Sequence, residues 1–227
     1  INLYLKVLNK RTDSYHNIET VFARIALSDE LILRKSKTGS INIFSTDPHL
    51  KSLESKGNLC YKAAHELFKR AGRTASGVDI TIKKNIPIAS GLGGGSSNAA
   101  TVLLGLNKLF NLDVTAKDLL SIASSVGADV PFFIHNVPYA LGKGIGDIIE
   151  PLACSEEFWV VLLFKPVKKS TKDIYSKVNL GLTKKGSNVK ITRRALEEFD
   201  LKKLSESLFN ALEGVKVPLT RNTTDTP

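Results

Sequence analysis

The apolar positions of the chain alternate first and then turn helical. Leu3, Leu5 and Val7 alternate with Tyr4, Lys6 and Leu8, the period of a strand, and residues 9–17 are polar and turn-rich. Residues 18–25, 29–34 and 40–44 predict further strands. Asn58 caps a predicted helix through residue 73, with Leu59, Ala63, Ala64, Leu67 and Phe68 on one face. Val78, Ile80 and Ile82 then alternate with Asp79, Thr81 and Lys83, a half-buried strand that Pro87 and a run of glycines break. From Ser97 the pattern is helical through Ala99, Val102, Leu103, Leu106, Leu109 and Phe110. Thr115 with Asp118 opens another helix, ending near Gly127. The run Phe158-Trp159-Val160-Val161-Leu162-Leu163-Phe164 predicts a buried strand, followed by a Lys-rich loop and helical stretches at 192–199 and 201–212. Strand-rich segments with interspersed helices indicate an α+β fold.

Composition narrows the class. The chain has 227 residues, 42% hydrophobic and 24% charged, as in globular proteins with ample core. Its longest apolar run is far short of the roughly 20 residues of a membrane helix. Cys60 and Cys154 form no CxxC and cannot make a disulfide framework, so a reducing compartment is expected. His49, His65 and His135 lack metal-ligand spacing, and no zinc site is assigned. The net charge of +10 is split evenly between residues 1–150 and 151–227, so it is denser in the second part. Such a balance suits RNA, a nucleotide or a phosphorylated metabolite. The chain contains no methionine and opens on Ile1, which reads as the inside of a strand.

The segment from Pro87 to Ala100 carries the clearest chemistry. Gly91, Leu92, Gly93, Gly94, Gly95, Ser96 and Ser97 sit between a predicted strand and a predicted helix. Glycines let backbone N–H groups turn toward one point, and a helix start adds unpaired N–H groups and a positive dipole end. This is an anion cradle suited to phosphate. The hydroxyls of Ser96 and Ser97 can bond phosphate, and Ser97 is a candidate contact for Mg²⁺. The loop has no Lys, which excludes a Walker A motif, and Ser96 stands where a dinucleotide fingerprint needs Gly or Ala.

Pro87-x-x-x-Gly91-Leu92-Gly93-Gly94-Gly95-Ser96-Ser97 resembles the phosphate loop of the GHMP kinase superfamily. Three more segments resemble one family within it, the kinases of 4-diphosphocytidyl-2-C-methyl-D-erythritol in the non-mevalonate isoprenoid pathway. They are Ile1-Asn2-Leu3-Tyr4-Leu5, Arg11-Thr12-Asp13-Ser14-Tyr15-His16 and Gly127-Ala128-Asp129-Val130-Pro131. The resemblance implies ATP and Mg²⁺, with phosphorylation of a 2-hydroxyl. It implies Asp129 as the catalytic carboxylate, Asn58 and Lys84 at the adenine pocket, and Asn2, Tyr15, His16 and Tyr175 at the substrate. Tyr15 would stack the cytosine, His16 would bond its edge, and Tyr175 would cover its opposite face. Asp147 and Glu150 fit a turn of the same family. It further implies a ribosomal-S5-domain-2-like ATP-binding domain over residues 1–152 and an incomplete ferredoxin-like C-terminal domain over 153–227. The expected setting is the bacterial cytoplasm, or a plastid if a transit peptide has been lost, with no nucleic acid or membrane partner.

Taken alone, Asp129 reads as a turn residue, Tyr15-His16 as a surface pair, Tyr175 as an ordinary strand or helix aromatic, Asn58 as a helix cap, Lys84 as a solvated charge, and Lys168, Lys169 and Lys172 as loop charges. Two elements of the family pattern fall outside the sequence: an Ala-Lys pair before Ile1, and a Gly-Ser/Thr-Gly motif beyond Val215. The chain is therefore expected to be part of a longer kinase, impaired as it stands. Two other classes are weighed: a homoserine or mevalonate type kinase, whose substrate has no base for Tyr15-His16 and Tyr175 to stack, and an RNA-binding module, which fits the charge but leaves the glycine loop and Asp129 without a purpose.

Overall fold

The computed structural model describes residues 1–45, 57–73, 77–163, 175, 178 and 188–213. The Lys168, Lys169 and Lys172 loop, His49 and the segment beyond Val215 lie outside the described residues. Helices and strands are mixed, as the α+β reading requires.

Two sheets organise the molecule. The larger contains β1 (Asn2–Lys10), β2 (His16–Ala23), β6 (Tyr139–Lys143), β7 (Ile148–Pro151) and β8 (Phe209–Asn210), in the order β7-β6-β2-β1-β8. The smaller contains β3 (Glu30–Ser36), β4 (Ile41–Ser45) and β5 (Gly77–Lys83), in the order β3-β5-β4. β5 runs antiparallel to β3 and parallel to β4, and the chain between β4 and β5 carries helix α1 (Leu59–Arg70). Val78, Ile80 and Ile82 of β5 are buried, with their polar neighbours on the other face, as the alternation predicts.

α1 packs with α2 (Gly94–Phe110) and α3 (Ala116–Val126) over the smaller sheet. Leu67, Leu103 and Leu106 are fully buried in this core. The capping expectation holds for α3: the Thr115 hydroxyl accepts from the Asp118 amide at 3.2 Å and donates to its carboxylate at 3.1 Å. A short helix, α4 (Val130–His135), lies between the two sheets. Its Val130 joins the α1–α3 core, while Phe132 stacks on Phe22 of β2 with ring centroids 4.8 Å apart.

Three local expectations are corrected. α2 begins at Gly94, three residues before Ser97, because Gly94 is packed under Ile86: a β-carbon there would lie 3.0 Å from the Ile86 side chain. Residues 158–163 form no strand, and Trp159, Val161 and Leu163 are exposed rather than buried. An apolar run becomes a buried strand only where a neighbour supplies ladder partners, and among the described residues none does. The helix expected over 201–212 stops at Ser207, giving α6 (Leu201–Ser207). Leu208 turns extended, and Phe209 enters β8 beside β1, its ring 5.7 Å from that of Tyr4. α5 (Val189–Glu197) and α6 bury Val189, Ala195, Leu196 and Leu204 against Leu3, Tyr4 and Val21 of the larger sheet.

Candidate active site

The glycine loop joins β5 to α2. Gly91 and Gly93 have φ of 76° and 67°, left-handed values that glycine adopts without a β-carbon penalty. Gly93 is the N-cap of α2, no side chain caps the helix, and no acidic residue occupies its first turn. The amides of that turn and the positive end of the helix dipole are thus left for an anion. Ser97 is in the helix proper, its amide bonded to the Gly93 carbonyl at 2.8 Å. The glycine loop thus runs from Gly91 into the helix, with Gly94 to Ser97 wound into its first turn.

Asp129 lies at the start of α4, with a near-helical backbone and no capping bond from its side chain. Its carboxylate is thus unused by local structure, unlike that of an ordinary turn or cap residue. The residue is exposed at the surface, but the atoms packed around its carboxyl desolvate it in part and push it above the ordinary 3.8. Gly146, at φ 108° in the β6–β7 turn, stands close by; a β-carbon there would lie 3.8 Å from the Asp129 carboxylate. The main-chain nitrogen of Ile1, at the head of β1, is also within electrostatic reach. Lys62 of α1 donates to the carbonyls of Ser125 and Val126, fixing the end of α3 just ahead of Gly127-Ala128-Asp129. α4 then ties Asp129 to the cradle, because Phe133 contacts Gly93.

The β1–β2 turn presents Tyr15 and His16. Arg11 holds Asp13 through Nε at 3.0 Å and reaches Asn17 at 3.2 Å, while the Tyr15 amide donates to Asp13 at 3.1 Å. Ser14 takes a left-handed φ of 70° at the turn. The Tyr15 side chain projects outward, 58% exposed. The rings of His16 and Tyr175 are stacked, with centroids 5.7 Å apart. That separation leaves no room for a base between these two rings, since each stacked layer needs about 3.5 Å. Burial, then the nearby Lys10, lowers the His16 pKa, so the imidazole is neutral near pH 7 and offers one donor and one acceptor. Burial pushes the Tyr175 phenol up to about 12, with the Asp129 charge adding to the effect, so it stays protonated.

Asn2 donates from its amide to Thr20 at 2.7 Å, and the buried Thr20 hydroxyl donates to the Tyr4 carbonyl at 2.7 Å. Asn58 is the N-cap of α1, accepting from the Cys60 amide at 2.9 Å. The neighbouring Leu59 approaches Gly95, so α1 and α2 start side by side. Lys84 is not a solvated charge: its ammonium is paired with the buried Asp29 carboxylate. Cys60 lies near this pair, and burial pushes its thiol up to about 12, which leaves it unreactive. Asp147 accepts from the Ile145 amide, and Glu150 pairs with Lys143 and Arg193, so both serve the β6–β7 turn and its surroundings. Among the described residues, no three His, Cys, Asp or Glu side chains converge as a metal site, and no helix is long and apolar enough to cross a membrane.

Sequence reasoning missed Asp29, Lys62 and Phe133, none of which carries a local signal, whereas Gly146 immediately precedes Asp147 in the turn that resembles the family's.

Residues 58–136 match the family model described as GHMP kinases N terminal domain. The 4-diphosphocytidyl-2-C-methyl-D-erythritol kinase of Syntrophus aciditrophicus is 40% identical over 219 residues, covering 96% of this chain and 75% of its own length. The protein of that name from Clostridium perfringens is 39% identical over 215 residues, covering 95% and 73%. A crystal structure of 4-(cytidine 5'-diphospho)-2C-methyl-D-erythritol kinase superposes with a TM-score of 0.71 at 31% identity, covering 95% of this chain and 74% of its own. A homoserine kinase from Cytophaga hutchinsonii shares the fold, with a TM-score of 0.59 at 17% identity. The chain belongs to the 4-diphosphocytidyl-2-C-methyl-D-erythritol kinase family.

Proposed function

We propose that, as a member of this kinase family, the chain transfers the γ-phosphoryl group of ATP to the 2-hydroxyl of 4-diphosphocytidyl-2-C-methyl-D-erythritol. The observation that carries the reading is the tie between an uncapped glycine cradle and an otherwise unused carboxylate, Asp129, through one short helix.

Phosphoryl transfer needs alignment and charge neutralisation more than covalent help. The amides from Gly91 to Ser97 hold the phosphates, and the helix dipole of α2 offsets their charge. Asn58 and Lys84 flank the base of the nucleotide, where α1 and α2 start together. The Ser97 hydroxyl is the side chain of this loop that would help hold Mg²⁺, which would supply further neutralisation of phosphate charge. Asp129 takes the proton of the attacking hydroxyl, and partial desolvation makes it a stronger base than a free carboxylate.

The cytosine stacks on Tyr15, with neutral His16 bonding its edge, and Tyr175 covers the opposite face only by leaving its stack on His16. Asn2, steadied by Thr20, faces the sugar-alcohol portion. In this reading residues 1–152 form the ATP-binding domain, and residues 153–227 belong to the C-terminal domain. A homoserine or mevalonate substrate would leave Tyr15 and His16 without a base to hold.

Thermal denaturation with candidate ligands tests the assignment. CDP and CMP should each raise the melting temperature, and mevalonate should not. Stabilisation by mevalonate alone would overturn it.

A further inference from the structure

Asp29 stands just ahead of β3 with its side chain fully enclosed, 0% exposed. Its two oxygens divide their work. Oδ1 accepts the backbone amides of Asn85 at 2.8 Å and Ile86 at 2.9 Å. Oδ2 accepts the ammonium of Lys84 and, at 2.8 Å, the side-chain amide of Asn98. All four donors belong to the segment from Lys84 to Asn98, which runs into, through and out of the glycine cradle. Lys84 is 55 positions away in sequence and Asn98 is 69 away. Asn85 adds a bond from its own amide to the Ser28 carbonyl at 2.8 Å.

The grip reaches the helix start by a short path. The Ile86 amide is held by Asp29, while the Ile86 side chain packs on Gly94 at 3.0 Å from where a β-carbon would be. Asn98 is one turn into α2 and is itself buried. Burial opposes the charge on Asp29, but Lys84, the two backbone amides and Asn98 outweigh it, and the carboxyl is held below 3.8. It is therefore a full anion across the working pH range and keeps both kinds of bond.

We propose that Asp29 is a positioning residue for the nucleotide side of the site: it aims Lys84 and fixes both ends of the phosphate loop without touching the nucleotide. This rests on the reading of the loop as the ATP cradle. A loop of this glycine content would otherwise sample many conformations, and holding it ready removes that ordering cost from nucleotide binding.

Asp29→Asn separates the two arms. The amide oxygen keeps the acceptor for Asn85 and Ile86, but its NH₂ meets two other donors, Lys84 and Asn98. The dissociation constant of a fluorescent ATP analogue and the KM for ATP should rise about tenfold, with the KM for the cytidine substrate within about twofold of wild type. The double variant Asp29→Asn with Asn98→Asp returns a carboxylate to Lys84 and should bring nucleotide binding back to within about threefold. Unchanged nucleotide binding in a folded Asp29→Asn protein would overturn the proposal, as would an equal rise in both KM values. Should that variant fail to fold, Asn98→Ala removes one bond only and should weaken nucleotide binding about threefold; unchanged binding there would overturn it equally. The binding arm is independent of turnover. A wild-type protein that binds the analogue but phosphorylates nothing would count against the proposed reaction and leave the positioning role to be decided by the binding constants.

Discussion

The ring of Phe133 lies against the backbone of Gly93, so near that a β-carbon at Gly93 would sit 3.4 Å from it. Phe133 is one helical turn beyond Asp129, and Gly93 caps the helix that leaves the phosphate loop. This contact lies between the carboxylate's helix and the glycine loop, beside the packing of Val130 into the core of the long helix. Gly93→Ala meets the Phe133 ring at no more than ordinary contact distance but imposes a left-handed strain at φ 67°. It should lower kcat/KM at least tenfold, roughly 1.4 kcal/mol, while far-UV circular dichroism stays native. Steady-state kinetics with both substrates checks this.

Asp129→Asn should lower kcat by roughly 10²–10⁴-fold and leave ATP binding near wild type. It should also change how stability depends on pH. The native carboxyl titrates above the ordinary 3.8, so between those two values the folded state holds more protons than the unfolded one. Stability therefore falls as pH rises through that window, and the loss persists above it. The variant should gain stability relative to wild type on going from about pH 4 to about pH 7, read by urea denaturation at each pH.

Gly146→Ala tests the neighbour of Asp129 from the other side. At φ 108° an added methyl group is strained, and it would lie 3.4 Å from Ile18 and 3.8 Å from the Asp129 carboxylate. Stopped-flow or steady-state assays should show kcat falling more than either KM rises, because a displaced base slows the chemical step.

Tyr15→Ala should raise the KM for the cytidine substrate by roughly 5- to 150-fold, the equivalent of about 1–3 kcal/mol of base stacking. Its ring is 58% exposed, so the melting temperature should hardly move. The KM for ATP, measured in the same assays, should stay unchanged.

Much of this site was legible in the sequence because its chemistry is local. The glycine loop reads as an anion cradle from its residue types alone, whereas Tyr15-His16 and Asp129 stand out only through the family resemblance of the short runs that hold them. The start of α2 was misread because glycines look like breakers until Ile86 is seen to occupy the space of a β-carbon. Asp29 was invisible for a different reason: a lone aspartate gives no hint of partners 55 to 69 residues away. Lys84 was read as a site residue or a solvated charge, and its pairing with Asp29 needed the fold. Residues 158–163 have a strand's composition, but pairing decides a strand, and no partner stands beside them among the described residues. β8 carried too short a pattern, two residues, to be separated from the helix before it.

Phosphorus NMR of the reaction mixture tests the central claim most directly. The protein is incubated with ATP and 4-diphosphocytidyl-2-C-methyl-D-erythritol, and in parallel with ATP and mevalonate or homoserine. ADP and a new phosphomonoester on the 2-hydroxyl of the cytidine substrate should form, at least about a hundredfold more slowly with Asp129→Asn. A phosphomonoester appearing on mevalonate or homoserine instead, or product formation undiminished by Asp129→Asn, would contradict it.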